Sequence, residues 1–326
     1  EQIANIEKEI RKTPYHKATE HYIGRLRAKL AKLKEKETEK QSKKGGGGGG
    51  YAVKKQGDAT VVLVGPPSVG KSTLLNKLTN AKSKIAPYAF TTVSVIPGMM
   101  EYKDANIQIL DVPGLIKGAE EGKGRGKEVL SVVRGADLLI LVTDIEDIEA
   151  IDRIKKTLER NGIRIDKDPP NVSIEKKVSG GLTIRTNIKQ DIDKETIKEV
   201  SQEFAIKNGE ITIKEKLTME TLIDAFSRNR VYIPSIEVIN KSDLTKGEKK
   251  NDYIYISAEK GENLDGFKEA IWEKLNLVRI YLVRPDEDPD KDDPMIVNQN
   301  DTLKDAAEKV GEDFAEDKES AIIWGP

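Results

Sequence analysis

The stretch "GPPSVGKS", Gly65 to Ser72, gathers residue types that can hold a phosphate chain. It fits G-x-x-x-x-G-K-[ST], follows the β-branched run "TVVLV" (60–64) and leads straight into the helix-forming "KSTLLNKLTN". In that setting backbone N–H groups close around a β-phosphate, helped by the positive end of the helix. Lys71 then sets a point charge between β- and γ-phosphates, and the Ser72 hydroxyl is a ligand for Mg²⁺. A second constellation, "NKSD" at 240–243, ends the apolar run "SIEVIN". Its Asp243 can accept from guanine N1–H and the 2-amino group; adenine offers no such pair, and a buried carboxylate left unpaired is costly. "ISAEK" (256–260) also ends a strand-like run and would bring the Ser257–Ala258 backbone to guanine O6, with Glu259 beside it. Together these residues specify GTP rather than ATP.

Between them lie two elements able to sense a third phosphate. Asp111 ends "IQILDV" and would hold a Mg²⁺-bound water; the Gly114 amide in "DVPG" would meet the γ-phosphate. "FTTVS" (90–94) offers a threonine to the metal, and spacing alone does not choose between Thr91 and Thr92. Ras-type enzymes follow Asp-x-x-Gly with a water-orienting glutamine. Here that position is Leu115, which neither donates nor accepts a hydrogen bond. Catalysis is left to positioning and electrostatics, with Lys71, one of the two threonines Thr91 and Thr92, and Gly114 as catalytic residues and Ser72, the same threonine and Asp111 around the metal. Slow intrinsic hydrolysis is expected, raised when a partner or cation reorders 84–98 and 115–128. An arginine finger is worth roughly 10⁵-fold elsewhere, about 7 kcal/mol of barrier. Arg125 is a candidate internal cation; a solvated switch arginine is the simpler reading. Glycines 118, 122, 124 and 126 fit a nucleotide-dependent hinge or a plain loop.

Such a site needs a scaffold, and the pattern from residue 58 supplies one. "TVVLV", "IQILDV", "ADLLILVTD" (136–144), "SIEVIN" and "YIYIS" (253–257) alternate with helical stretches, and "FKEAIWEKLNL" (267–277) closes the unit. Near-continuous apolar strands separated by helices imply an α/β fold with a parallel-rich sheet covered on both faces. About 90 residues separate "LLILVTD" from "SIEVIN", far more than one crossover needs. "DIEAIDRIKKTLERNG" supplies the crossover helix; 163–230 reads as an inserted α+β domain with "SGG" (179–181) as a hairpin turn. Upstream, Ile3, Ile6 and Ile10 and then Ile23, Leu26, Leu30 and Leu33 mark two amphipathic helices, with Thr13 as an N-cap and Pro14 in a first turn. "GGGGGG" (45–50) is a flexible linker by composition. After "VRIYLVRP" comes an acidic stretch, then "DTLKDAAEKV" as helix and "SAIIWGP" as strand, a β-grasp-sized module that stops early. The expected domains are therefore 1–44, the linker 45–57, the nucleotide domain at 58–162 and 231–278, the insert 163–230, and 279–326.

Composition narrows the classes. With no cysteine among 326 residues, disulfides and thiolate chemistry are excluded; with His16 and His21 alone, a histidine-centred mechanism is disfavoured. No apolar run approaches a membrane span and no secretory leader is evident, so a soluble cytoplasmic protein without membrane partners is expected. A charged fraction of 34% rich in Lys and Glu hints at a thermophile. The net charge of −1 conceals a surplus of six bases over residues 1–44 (13 Lys/Arg, 7 Asp/Glu) and an excess of ten acids over 285–326 (14 against 4). The basic head suits nucleic acid or an ordinary solvated helical face equally.

"KKGGGGGGYAVKKQGDATVVLVG", "FTTVSVIPGMMEYK", "DVPGLIKGAEEGKGRGKEVLSVVRGADLLILV" and "NRVYIPSIEVINKSD" together identify the chain as resembling the Obg class of GTPases. Within that class it is similar to the developmentally regulated GTP-binding (DRG) proteins, archaeal members especially. The resemblance covers nearly the whole chain. It implies a helical N-terminal hairpin, a P-loop GTPase domain, a ribosomal-protein-like insert, a truncated C-terminal TGS domain, Mg²⁺ dependence, a monomer, and association with ribosomes or rRNA and with a family-type regulatory protein. It favours Thr92 over Thr91 as metal ligand. The implied GTP/GDP contacts are Gly65, Pro66, Pro67, Ser68, Val69, Gly70, Lys71, Ser72 and Thr73 on the phosphate loop. Phe90, Thr91, Thr92, Asp111, Val112, Pro113 and Gly114 follow in the switches, and Asn240, Lys241, Asp243, Ser257, Ala258 and Glu259 around the base. Pro66 stands where relatives usually have an aromatic or Arg. Ser68 replaces the asparagine frequent in potassium-activated relatives, which speaks against a K⁺ site. The acidic C-terminal module speaks against direct RNA binding there. The rival readings are a scaffold whose nucleotide is structural and barely turned over, which Leu115 permits, and an ATPase, which Asp243 opposes.

Overall fold

The computed structural model describes residues 2–17, 19–44, 56–79, 86–87, 94–112, 125–244, 252–283, 288, 291–292, 294–316 and 320–324. The chain divides into two compact units: Glu1–Tyr51 with Gly162–Tyr232, and Ala52–Asn161 with Ile233–Pro326.

The first unit starts with helices α1 (Gln2–Lys12) and α2 (Glu20–Lys44). Thr13 does not cap α2. Its hydroxyl donates back to the Glu9 carbonyl at 2.9 Å and its amide to the same oxygen at 3.1 Å, finishing α1. α2 begins six residues after Pro14. Ile23 and Leu26 of the expected stripe are buried, while Leu30 and Leu33 are half-buried. A second face made of small residues is just as deeply buried: Ala28 and Ala31 belong to a core with Ile197, Val200, Ile211 and Leu222. A Cβ at Gly24 would stand 2.8 Å from the Met219 side chain, so glycine admits that approach.

Within 162–232, strands β6 (Ile163–Ile165) and β10 (Val231–Ile233) pair with each other. Between them run β7 (Val172–Lys176), β8 (Leu182–Thr186), a helix Lys194–Glu203, β9 (Gly209–Ile213) and a helix Met219–Phe226. No hairpin forms at 179–181. Gly180 and Gly181 do turn the chain at φ of 101° and 75°, but β9 lies between β7 and β8, antiparallel to the first and parallel to the second. The reason is apolarity: Ile211 and Ile213 are buried on β9, whereas β7 and β8 turn Ser173, Glu175, Thr183 and Arg185 to solvent. The helix Lys194–Glu203 is capped by Asp193, which accepts from the Thr196 amide at 2.7 Å, and by the same carboxylate's contact with His21 at 2.9 Å.

A buried charge cluster ties this region together. Arg164 donates twice to Asp224, Nε at 2.5 Å and Nη2 at 2.7 Å, and Arg230 Nε reaches the same carboxylate at 2.5 Å. Removing one member of such a cluster strands the others. Asp224→Ala should therefore lower unfolding stability by about 3–5 kcal/mol, read by urea denaturation.

The second unit holds a seven-stranded sheet among the described residues. In chain order its strands are β1 (Ala59–Val64), β2 (Ala86–Pro87), β3 (Ser94–Tyr102), β4 (Ala105–Asp111), β5 (Leu138–Asp144), β11 (Ser235–Asn240) and β12 (Ile254–Tyr255). The spatial order is β12-β11-β5-β1-β4-β3-β2, parallel from β12 to β4 with β3 and β2 antiparallel at one edge. β1 and β5 are buried along their whole length, as the apolar runs require. Among the described residues, the helices interleaved with these strands or directly following them are, in chain order, Lys71–Leu78, Arg125–Arg134, Ala150–Arg160 and Leu264–Lys274. Leu74, Leu75, Leu78, Phe267 and Ile271 from the first and last of these fill one core with Val61, Leu63 and Ile140.

Beyond the sheet, β13 (Leu277–Ile280) pairs antiparallel with β14 (Met295–Asn298), followed by helices Leu303–Val310 and Glu312–Glu316. Thr302 and Asp305 form a capping box at the first of these helices. The run expected as a closing strand takes no regular secondary structure over 320–324. Ile322, Ile323 and Trp324 are 86%, 73% and 64% exposed, so no neighbour repays the ordering of a strand there. No helix among the described residues is long and apolar enough to cross a membrane.

Candidate functional site

The carboxyl ends of β1, β4, β5 and β11 point the same way, and β1 has β4 on one side and β5 on the other. That split is where a doubly wound sheet opens a crevice for ligands. The phosphate loop leaves β1 there. Gly65 is fixed by close packing: a Cβ would lie 2.1 Å from the Val142 carbonyl on β5. Ser68 and Gly70 take positive φ, 65° and 89°, so the amides of the loop curl inward before the helix Lys71–Leu78 begins. Pro66 and Thr73 are half-buried, Pro67 and Ser68 exposed and Val69 buried.

Lys71 is only 8% exposed. Its ammonium donates to the carbonyls of Gly65 (3.1 Å) and Pro66 (2.8 Å), the two residues that open the loop. Burial pulls its pKa below the ordinary lysine value, and the charge of Asp111 works against that shift. Next along, the Ser72 hydroxyl donates to Asp111 Oδ2 at 2.6 Å. Burial raises the Asp111 pKa, opposed by the Ser72 hydrogen bond and the Lys71 charge. Asp111 Oδ1 is buried without a hydrogen-bond partner. An orphaned carboxylate oxygen beside a serine hydroxyl is a hard, all-oxygen donor pair of the kind Mg²⁺ takes. Val112 follows, fully buried. Phe90, Thr91, Thr92, Pro113, Gly114 and Leu115 lie outside the described residues, and so does the Arg125 side chain.

The base-reading residues stand on a turn after β11. Asn240 is the junction: its Nδ2 donates to the Val69 carbonyl at 2.8 Å and its Oδ1 accepts from the Ala258 amide at 3.0 Å. One carboxamide thus joins "GPPSVGKS", "NKSD" and "SAEK". The Ser257–Ala258 backbone, expected at guanine O6, thus sits on the same turn as this bridge. Asp243 sits on a short 3₁₀ turn, Ser242–Leu244, anchored by Ser242 N–H to the Ile256 carbonyl at 3.0 Å. The Ser257 hydroxyl, and after it Lys260, holds the Asp243 carboxyl below the usual aspartate value. Lys260 Nζ lies 3.2 Å from Asp243 Oδ2 and the Lys260 amide donates to Ser257 Oγ at 3.2 Å. Glu259 is exposed on the same turn.

Beside them, Lys241 Nζ donates to Asp144 Oδ2 at 2.7 Å. Sequence reasoning passed over Lys260, which directly follows "SAE", and Asp144, which ends the run quoted for β5; a charge at a strand end was the available signal. Among the described residues no cluster of three or more His, Cys, Asp or Glu could hold a metal. A hydroxyl–carboxylate pair escapes that description.

Residues 60–176 match the family described as 50S ribosome-binding GTPase, and 179–277 match the C-terminal region of that domain. An uncharacterized GTP-binding protein of Methanocaldococcus jannaschii is 50% identical over 338 residues, covering 100% of this chain and 86% of that protein. Developmentally-regulated GTP-binding protein 1 of Xenopus laevis is 40% identical over 334 residues, 99% of this chain and 91% of that protein. A looser likeness, 19% identity with a TM-score of 0.36, links it to Era in complex with MgGDPNP and nucleotides 1506-1542 of 16S ribosomal RNA, over 72% of this chain and 62% of that one.

Proposed function

The chain belongs to the developmentally regulated GTP-binding proteins, archaeal members included, and from that premise we propose a slow GTP-hydrolysing switch that acts on ribosomes. The observation that carries this reading is Asn240. Its carboxamide ties the phosphate loop to the turns expected to read the base, which supports a ligand carrying a phosphate chain and a base together.

In this reading the loop amides of 65–72 bind the β-phosphate and Lys71 neutralises the β/γ oxygens. The Asp243 carboxylate accepts from guanine N1–H and the 2-amino group, while Lys241 flanks the base. Mg²⁺, held by Ser72 and Thr92 with Asp111 acting through water, would supply charge neutralisation as negative charge shifts during phosphoryl transfer. Gly114 orients the γ-phosphate from its amide. Leu115 offers no group to orient water, which makes turnover slow until a partner reorders the switches. The basic residues of 1–44 and the ribosome-binding description of the matched family support the ribosome as that partner. The domain boundaries given above, with the N-terminal hairpin and a TGS-type module at 279–326, belong to the same proposal.

Steady-state phosphate release tests it. Slow release from GTP, none from ATP, and at least tenfold acceleration by ribosomes are expected. Equal turnover of ATP, or no uptake of either nucleotide, would overturn the reading. Running the assay in sodium and in potassium separates a ribosome effect from a cation effect; with Ser68 in the loop, no potassium dependence is expected.

A further inference from the structure

Lys241 is held from outside its own tetrapeptide. Its ammonium donates to Asp144 Oδ2 at 2.7 Å, and Asp144 lies opposite Asn240 in the parallel register of β5 and β11. Asp144 is buried, and its Oδ1 accepts from the Glu146 amide at 3.2 Å, so the carboxylate cannot swing. Lys241 itself sits at φ 58°, a left-handed conformation that a residue with a side chain keeps only where its surroundings impose it. Its neighbours are all tied: Asn240 to Val69 and Ala258, Ser242 to Ile256, and Leu244 back to the Lys241 carbonyl at 3.0 Å. The ion pair adds a charge-assisted tether at this strained residue, between a fixed strand end and the turn that carries Asp243.

We infer that Asp144 is a positioning residue for guanine recognition: through Lys241 it sets the turn that aims the Asp243 carboxylate. The inference rests on the reading of 240–243 as the base reader. It distinguishes Asp144 from a merely structural ion pair, because its loss must weaken the base end of a ligand and spare the phosphate end.

The test is calorimetric titration of the full chain with GDP, ADP and inorganic tripolyphosphate. Asp144→Asn keeps shape and removes charge; GDP affinity should fall about tenfold, as expected for losing a hydrogen bond to a charged group, with tripolyphosphate affinity unchanged. Lys241→Met breaks the same pair from its more exposed side and should give the same split. In a Lys241→Gly background, where positive φ costs little and no ammonium remains, adding Asp144→Asn should change nothing further. Unchanged GDP binding in Asp144→Asn overturns the inference, as does parallel loss of GDP and tripolyphosphate, or full additivity with Lys241→Gly. Wild-type protein that fails to prefer GDP over ADP sinks the guanine reading along with it. A wild type that does prefer GDP, beside a silent Asp144→Asn, sinks the positioning role alone.

Discussion

Asp243→Asn should exchange the base preference of the protein from guanine to xanthine. Guanine presents two donors along the edge that Asp243 is expected to read, N1–H and the 2-amino group. An asparagine amide accepts from one and sets its own NH₂ against the other. Xanthine presents N1–H beside a 2-oxo acceptor and so matches the amide at both points. A hydrogen bond to a charged group is worth about 1.5–3 kcal/mol, and an opposed, unsatisfied donor adds about 1–3 kcal/mol. The GDP dissociation constant should therefore rise about 10²–10⁴-fold while xanthosine diphosphate tightens. Competition titration with the two nucleotides decides it; equal weakening of both would mean that Asp243 does not touch the base. A pH titration of the wild type gives a cross-check. Because the folded-state carboxyl is held below its ordinary value by Ser257 and Lys260, the ionised acceptor persists as pH falls through the usual aspartate range. GDP affinity should hold as the pH passes the ordinary aspartate midpoint of about 3.9 and fall only at lower pH.

Gly70→Ala should do comparable damage at the other end of the ligand. The new Cβ would lie 2.4 Å from Asn240 Nδ2 on a backbone at φ +89°. Left-handed φ costs a residue with a Cβ about 1–2 kcal/mol. The clash also pushes Asn240 off the Val69 carbonyl, leaving a buried donor unmade at about 1–3 kcal/mol. Taken together the penalty is about 2–5 kcal/mol, or roughly 30- to 5000-fold in affinity if the bound state bears it. Loss should extend to tripolyphosphate as well as GDP, in contrast to the base-only loss expected at Asp243. Undiminished binding of both ligands would show that Asn240 can move aside freely.

The parallel strands and the phosphate loop were legible because their signals are local. "TVVLV" runs straight into a glycine-rich turn and "LLILV" is too short and apolar to read as anything but buried chain, while "NKSD" means little until a strand end precedes it. What sequence missed depended on tertiary choice. β3 contains Pro97 and Gly98, which argue against a strand, yet it lies near the sheet edge where proline is tolerated and pairs along its length with β4. Gly98 is needed there, since a Cβ would meet the Thr79 side chain at 2.7 Å. The order β7-β9-β8 depends on which strand has two apolar neighbours, and a turn signal at 179–181 says nothing of that. Likewise "MIVN" in β14 is a short apolar run hidden between an acidic stretch and "QND". Within the crevice, the quoted motifs stand out as contiguous stretches, whereas Asp144 and Lys260 carry only the weak signal of a charge at a strand end, because an ion pair across 97 or 17 residues leaves no periodic trace.

The bridging carboxamide of Asn240 has a consequence for how ligands cooperate. A nucleoside and a free polyphosphate seated in the two halves of this crevice would each brace the same pair of hydrogen bonds. Whatever advantage one gives the other is returned in equal measure, since linkage between two ligands is mutual. Affinity for the intact nucleotide then exceeds what its fragments suggest, and a small molecule shaped only for the purine side would still stiffen the distant anion cradle.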